Sequence, residues 1–146
     1  MTNALTAPHV LEYPYTRSTG EVIGRFFAAL KERRILGIRA RDGRVLVPPQ
    51  EYDPESGESL DDWVEVGQSG TVTTWTWIDR PRPKHPLQHP FAFALIRLDG
   101  AYTAMLHVVD AGDAARMATG LRVRAVWRED PQGDITDITS FTPEAP

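Results

Sequence analysis

The sequence predicts a mainly β protein, in which a small five-stranded barrel follows one helix and a compact hairpin module. Residues 67–143 contain five short runs of strand-like composition separated by turn signals. Residues 18–34 carry apolar side chains at helical spacing. Between these regions, two short apolar runs flank an Asp-Gly turn, which is typical of a hairpin.

The chain begins with a proline-containing arm, residues 1–17, in which Tyr13 and Tyr15 form an aromatic patch. Terminal segments of this kind are ordered only when they dock on another surface. The arm is therefore either a frayed end or a contact for a partner.

A helix is predicted over residues 18–34. Ser18 and Glu21 have the spacing of a capping box, and Arg33 and Arg34 suit the negative end of the helix dipole. The apolar positions of this helix are Val22, Ile23, Phe26, Phe27 and Leu30.

Residues 35–66, the ribbon module, have the turns of a zinc ribbon without its ligands. One turn is Arg41-Asp42-Gly43, between two predicted strands, and a second lies at residues 52–57. A structural zinc site needs four ligands, yet the chain contains no cysteine. We expect a degenerate, metal-free ribbon that leans on the helix, the barrel or a second chain for stability.

Six acidic residues lie within residues 51–62 of this module. A calcium-binding EF-hand loop needs a glycine at its sixth position. Counting from Asp53, the sixth residue is Glu58 and the glycine comes one position too early. We expect a solvated acidic loop.

The five barrel strands are predicted over residues 70–78, 91–98, 101–109, 120–127 and 135–141. Asp99-Gly100 is a hairpin signal between the second and third strands, and residues 110–119 have room for one helical turn. Five short strands at this spacing fit a small closed barrel, for which the OB-fold is the leading case.

Composition narrows the classes of function. The net charge is −4 and the pI about 5.5, so the overall basic field of a nucleic-acid-binding protein is missing. No stretch approaches the roughly 18 apolar residues of a membrane span. The first residues lack the regions of a signal peptide, and the lack of cysteine fits the cytoplasm, the location we expect.

No motif makes a positive case for catalysis by this chain. A Gly-x-Ser-x-Gly motif is absent, since the segment at 67–70 is one residue too short, and there is no thiol. His85 and His89 lie among prolines that prevent the helix on which such a pair would clasp a metal. His107 falls in a predicted strand, where a hydrogen-bonded structural histidine is the simpler interpretation. We expect no catalytic residue and no metal ligand.

The best local candidate for a binding site is the basic loop, residues 80–86. Arg80, Arg82 and Lys84 concentrate positive charge there, and the prolines are expected to hold the loop extended. Such a loop could grip the phosphates of coenzyme A. Trp75 and Trp77 share one face of the preceding strand and could stack on adenine. The alternatives are a solvated connection and tryptophans of the barrel core. The same residues would also suit a single-stranded nucleic acid.

An ordered set of short motifs resembles one family. The motifs are EYPYTRS (12–18), GRFF (24–27), RILG (34–37), GRVLVPP (43–49), WVEV (63–66), GTVTT (70–74), ALIRLDG (94–100) and GLRVRAVW (120–127). Together they resemble the zinc-ribbon/OB-fold proteins known as DUF35, over roughly residues 12–143. In the family pattern the zinc cysteines would fall at Ala40, between Asp42 and Gly43, at Asp53 and at Ser56. None is present here, so the resemblance itself puts zinc binding in doubt.

The resemblance implies a non-catalytic accessory subunit. Family members associate with thiolase-like enzymes or acyl-CoA hydratases and help form the acyl-CoA site, some of them in steroid or lipid side-chain degradation. A thiolase-like or hydratase-like partner is therefore expected, with an acyl-CoA as a loosely held ligand and no tightly bound cofactor. Two alternatives stay open, a single-stranded nucleic-acid-binding OB-fold protein and a stand-alone acyl-CoA-binding protein.

Overall fold

The structure is a computed structural model that describes residues 4–145. Within this range, helix α1 (Gly20–Lys31) precedes the strands β1 (Ile35–Arg39), β2 (Val45–Leu46), β3 (Asp62–Val66), β4 (Ser69–Ile78), β5 (Phe91–Leu98), β6 (Met105–Val109), β7 (Arg122–Trp127) and β8 (Ile138–Pro143). Short 3₁₀ turns at Ala114–Arg116 and Ile135–Asp137 precede β7 and β8. The mainly β class with an N-terminal helix is confirmed.

Strands β4 to β8 close a barrel in the order β4-β5-β6-β8-β7. Neighbouring strands are antiparallel except β6 and β8, which run parallel where Val109 faces Phe141. This is a five-stranded barrel of OB-fold type, as predicted. Alternate side chains such as Val72 and Ile96 fill its interior and are fully buried.

Three barrel strands begin later than the sequence predicts: β7 by two residues, β8 by three and β6 by four. Strand β6 starts at Met105 rather than 101, because the preceding residues turn towards the ribbon module, where the Tyr102 N–H donates to the Val45 carbonyl (2.8 Å). Residues 135–137, predicted as strand, form a 3₁₀ turn, because the Asp137 carboxylate accepts backbone N–H groups from the preceding residues.

Helix α1 begins at Gly20, and the capping box predicted at Ser18 is wrong. The Ser18 hydroxyl accepts a hydrogen bond from the Gly20 N–H (3.2 Å), and Thr19, at the N-cap, makes no side-chain cap bond. Because Gly20 has a φ of +76°, the chain turns sharply there and the hydroxyl reaches only two residues ahead. Phe26 and Leu30 then pack into the core shared with β1 and the barrel.

The end of α1 is tied to the connection between β7 and β8. Arg33 has a left-handed backbone (φ 57°), and its guanidinium donates to the carbonyls of Arg128 (3.3 Å) and Glu129 (3.0 Å). The Gln68 side chain donates to the Arg33 carbonyl (2.8 Å) and accepts from the Trp127 indole N–H (2.8 Å). These bonds fix the helix against the barrel wall beside the groove described below.

The ribbon module contains a three-stranded sheet in the order β2-β1-β3, one strand more than predicted. Strand β3 pairs with β1 from Ile35↔Val66 to Arg39↔Asp62. The sequence predicted no third strand here, and the predicted acidic loop overlaps β3 only at its first residue. The acidic residues of β3 are Asp62 and Glu65. In the sheet they face solvent and form ion pairs, Glu65 with Arg34 (2.8 Å) and Asp62 with Arg39 (3.4 Å).

Arg44 joins the two turns of the ribbon module. Its guanidinium lies 2.6 Å from Asp42, 3.1 Å from Asp53 and 3.0 Å from Glu55. The first turn is closed by the Gly43 N–H donating to the Ala40 carbonyl (2.9 Å). The cluster therefore lies between the turns that carry the expected zinc positions, and a guanidinium with its carboxylates links them.

The prediction of a wholly solvated acidic loop is wrong at Asp53, whose side chain is only 7% exposed. Asp53 accepts hydrogen bonds from the Glu55 N–H (3.0 Å) and from the Arg44 guanidinium. These donors outweigh the effect of desolvation and hold the pKa of Asp53 below its usual range. A charged carboxylate can be buried here because it is fully paired.

The barrel supports the same module. The Val47 N–H donates to the Thr103 hydroxyl (2.7 Å), which donates in turn to the Val47 carbonyl (3.0 Å). The Arg44 guanidinium lies 5.6 Å from the centre of the Tyr102 ring, within reach of a cation–π contact. The segment before β6 thus holds both β2 and Arg44.

We expect Arg44→Gln to lower the melting temperature by several degrees, because Asp53 would remain a buried carboxylate without its counter-ion. Scanning calorimetry measures the change. Arg41→Gln is the matched control, since Arg41 is 84% exposed and its pair with Glu58 lies at the surface. A metal chelator should leave the wild-type transition unchanged. A fall on chelation, or equal effects of the two substitutions, would contradict this account of the module.

Candidate functional site

An open, mostly apolar groove of about 500 Å³ runs along the outside of the barrel. Its floor is the outer face of β5 and β6, one wall is the end of the β4–β5 connection, and the other wall is the β7–β8 connection. The apolar lining comes from Pro86 and Leu87, from Phe93, Leu106 and Val108, and from Ile135. Strands two and three of an OB-fold and the loops beside them are where this fold binds its ligands.

The register of β5 and β6 makes the floor apolar. Phe93 faces Val108, and Leu95 faces Leu106. The residues between these pairs, such as Ala94, point into the barrel and are buried. Leu106 is 62% exposed and Leu95 is 37% exposed. Two apolar cross-strand pairs therefore lie on the side of the sheet that usually carries polar residues.

The basic loop folds back on itself and is not extended as predicted. The His85 N–H donates to the Arg82 carbonyl (2.9 Å), and the Arg82 N–H donates to Nδ1 of His85 (3.2 Å). The His85 ring packs edge-on against Phe91 and Phe93, with centroids 5.8 and 6.0 Å apart. These contacts turn the chain and bring Pro86 and Leu87 to the groove.

The three cations of this loop remain exposed. Arg80, Arg82 and Lys84 form no ion pair with any residue in the range that the structure describes. They precede Pro86 and Leu87, which line the groove, but do not line it themselves. An unpaired positive patch thus lies on the connection that forms one wall of the groove.

Trp75 and Trp77 lie partly buried against the barrel core. Strand β4 shifts register between Val72 and Thr74, where the Thr73 hydroxyl donates to the Leu95 carbonyl (3.1 Å). After this bulge, Trp75 faces Ala94 and Trp77 faces Ala92, both inward residues. The structure therefore places the tryptophans on the inner side of the sheet, apart from the groove.

The opposite wall is organised by Asp137, a fully buried carboxylate. It accepts backbone N–H groups from Gln132 (2.7 Å), Gly133 (2.7 Å) and Asp134 (3.3 Å). Burial alone would raise the pKa of Asp137, but the three donors outweigh it and hold the pKa below its usual range. The resulting turn places Ile135 at the groove.

His107 is the buried titratable side chain at the groove. It lies on β6 opposite Ala94, and its ring packs edge-on against Phe141 with centroids 5.3 Å apart. Burial lowers the pKa of His107 and keeps the imidazole neutral. The sequence analysis interpreted it as a structural strand residue and did not connect it with a site. Its alternation with the exposed Leu106 was the signal that could have drawn attention to it.

Metal chemistry has no ligand set in the part of the chain that the structure describes. No three histidine or acidic side chains within residues 4–145 are grouped so that they could hold an ion. His89 is paired with Asp110 (3.0 Å), and His85 is held by the aromatic pair. Among the described helices, none is long and apolar enough to cross a membrane.

The barrel topology defines a protein of the OB-fold class, with an open groove on its second and third barrel strands. Residues 63–128 match the family described as the ChsH2 C-terminal OB-fold domain. This match agrees with the resemblance to DUF35 proteins that the sequence motifs indicated.

Two solved structures share the fold of almost the whole chain. One is the Ltp2-ChsH2(DUF35) aldolase, with 22% identity, a TM-score of 0.63, and coverage of 88% of this chain and 98% of that one. The other is a DUF35-family protein of unknown function from Sulfolobus solfataricus, with 20% identity, a TM-score of 0.65, and coverage of 86% and 87%. No curated protein matches the chain.

We expect Asp137→Ala to lower the free energy of unfolding by about 1–3 kcal/mol, because buried N–H groups lose their acceptor. The native pKa is depressed, so the carboxylate stabilises the fold above its unfolded pKa of about 3.9. That stabilisation is lost as the pH falls through the lower native value.

The free energies of unfolding of wild type and variant, measured by urea titration, should therefore converge as the pH approaches about 2. Asp130→Ala, in the same connection but exposed, is the control and should have a small effect. A gap between wild type and Asp137→Ala that stays constant into acid would contradict the assignment.

Proposed function

We propose that this chain is a non-catalytic accessory subunit that binds a thiolase-like or acyl-CoA hydratase-like enzyme and completes its acyl-CoA site. The observation that carries the proposal is the apolar groove on the ligand face of the OB-fold, with unpaired cations on the loop that forms one wall. An acyl-CoA has the matching halves, a charged nucleotide and an apolar chain. The aldolase with the same fold combines a DUF35 chain with Ltp2, which supports a hetero-oligomer.

The charge pattern supports binding of phosphate by the basic loop. Arg80, Arg82 and Lys84 have no carboxylate partner to displace within the described residues, so their charge is available to an anion. Arginine can contact phosphate with two parallel hydrogen bonds. The Arg82–His85 turn holds this part of the loop in one conformation before a ligand arrives, which reduces the entropy lost on binding.

The groove argues against the nucleic-acid alternative. An OB-fold that binds single strands presents aromatic rings on which bases stack. Here the ring of Phe93 in the lining packs edge-on against His85 and Phe91. The rest of the apolar lining is aliphatic, and Trp75 and Trp77 pack inward. The stand-alone acyl-CoA-binding protein remains the second candidate, since the groove and loop would serve it equally.

The enzyme-facing surface is proposed on α1, the ribbon module and the arm. Described residues of the arm expose large apolar side chains, Leu5, Val10, Leu11, Tyr13 and Tyr15, each at least 66% accessible. Apolar surface of this extent is typical of protein interaction sites. Steroid or lipid side-chain degradation is the proposed setting.

A native pull-down of the tagged chain from its own host, read by mass spectrometry, tests the partner. We expect stoichiometric recovery of a thiolase-like or hydratase-like enzyme, and its loss when residues 4–17 are deleted. A matched bait with Arg124→Gln, a change on the exposed face of β7, should behave as wild type. Recovery of the chain alone, in the presence of acyl-CoA, would overturn the accessory role and leave the stand-alone candidate.

Calorimetric titration with coenzyme A tests the basic loop. We expect the triple substitution of Arg80, Arg82 and Lys84 by Gln to weaken binding roughly tenfold or more, because each hydrogen bond to a charged group contributes about 1.5–3 kcal/mol. The effect should shrink at high salt. A control that replaces the exposed Arg17, Arg41 and Arg124 by Gln removes the same charge. Equal losses of affinity in both variants would indicate a non-specific electrostatic attraction and would contradict a phosphate site on the basic loop.

A further inference from the structure

At the inner end of the groove, the buried imidazole of His107 has an N–H that makes only a weak hydrogen bond. The Val108 N–H donates to Nδ1 of His107 (2.8 Å), so the neutral ring carries its proton on Nε2. The acceptor that Nε2 has is the Ile135 carbonyl at 3.5 Å, the outer limit of a hydrogen bond. His107 is 9% exposed and lines the groove. A buried donor with so weak a partner is rare in folded proteins.

The other polar groups of the lining are already engaged. The Thr139 hydroxyl donates to the Val126 carbonyl (3.1 Å), and the Thr136 hydroxyl donates to Asp134. Arg128 touches Thr136 at 3.4 Å and forms no ion pair with the residues that the structure describes. The groove therefore offers apolar walls, one guanidinium at its edge, and one neutral N–H at its inner end, where the His107 ring lies between β6 and the residues Ile135 and Phe141.

We infer that the groove is a binding site for an acyl group, with the apolar chain on β5 and β6 and the carbonyl oxygen accepting from Nε2 of His107. This rests on the proposed function only in the choice of an acyl ligand. The role of His107 and the recognition of the carbonyl oxygen go beyond the proposed function. A carbonyl oxygen would replace the distant Ile135 contact with a normal hydrogen bond. Arg128 would add attraction only if the ligand were a free carboxylate.

Two sources of this acyl chemistry, a thioester and a free acid, can be separated with small probes on the isolated full-length chain. The probes are S-octanoyl-N-acetylcysteamine, octanoate, and S-octyl-N-acetylcysteamine. The last has the same chain and tail as the first but lacks the thioester carbonyl. None of the probes contains a nucleotide or requires a partner enzyme. Their binding therefore tests the acyl site independently of the accessory role, and either proposal can fail while the other holds.

We expect the thioester to bind roughly tenfold more tightly than the thioether in calorimetric titrations, the effect of about one buried hydrogen bond. The ¹⁵N and ¹H resonances of the His107 Nε2–H should shift on saturation with the thioester and much less with the thioether. His107→Leu should abolish the preference, and His107→Gln, which retains a donor, should restore part of it. The resonance shift in the wild type needs no substitution, so the test stands even if His107→Leu folds poorly.

The effect of the Arg128 charge shows whether the groove takes a thioester or a free acid. If octanoate binds more tightly than the thioester and Arg128→Gln removes that advantage while Arg124→Gln does not, the site takes free acids. If the thioester binds more tightly and Arg128→Gln has no effect, it takes thioesters. Equal binding of thioester and thioether, a preference that survives His107→Leu, or no binding of any probe would overturn the inference.

Discussion

The ribbon module depends on one guanidinium that lies between its two turns. Four buried side chains, Ile38, Ala40, Leu46 and Leu60, make up the module's separate core cluster among the described residues, which is too small to order the turns alone. Arg44 joins carboxylates from both turns, and the segment before β6 supports β2 and Arg44 from the barrel side. An arginine supplies several fixed, directional donors, so it can link two loops as a metal would, provided the acceptors are charged. Ion pairs to one arginine therefore connect the two turns that would carry the zinc ligands of the family pattern.

The apolar groove follows from strand register rather than from an unusual fold. Because side chains alternate along a strand, a shift of one residue in β5 or β6 would move Leu95 and Leu106 into the barrel and expose Ala94 and His107. The observed pairing leaves two apolar pairs outside, which is unfavourable in water unless something covers them. The turn held by Asp137 lies on one side of this face, and the folded basic loop lies on the other. Sheet register and two loop anchors thus turn a flat exposed patch into a site.

Much of the fold could be predicted from local pattern, and little of the site could. Asp-Gly turns and alternation located the barrel strands, because both signals act over a few neighbouring residues. Strand β3 was missed because it is defined by its pairing with β1, which lies far earlier in the chain, and only the folded chain brings the two together. Asp53 was assigned to solvent for the same reason, since Arg44 is nine positions away. The face of Trp75 depends on a bulge, and the groove combines three segments, so neither is encoded in any one stretch. Only the basic loop beside the groove was located from sequence.

The chemistry available at the groove is that of donating a hydrogen bond to an oxygen atom rather than of transferring a proton. A general base there would need a free lone pair within hydrogen-bond reach of the substrate. His107 is the buried titratable group at that position, but Nδ1 is occupied by the Val108 N–H and Nε2 carries the proton. Burial also lowers the pKa of His107, so the ring does not become a proton-donating imidazolium near neutral pH. In this state the ring can donate a hydrogen bond and orient an oxygen, but it cannot accept a proton from a ligand in the groove. A site of this kind can orient one end of a ligand, and the proposed accessory role assigns the reacting groups to a partner enzyme.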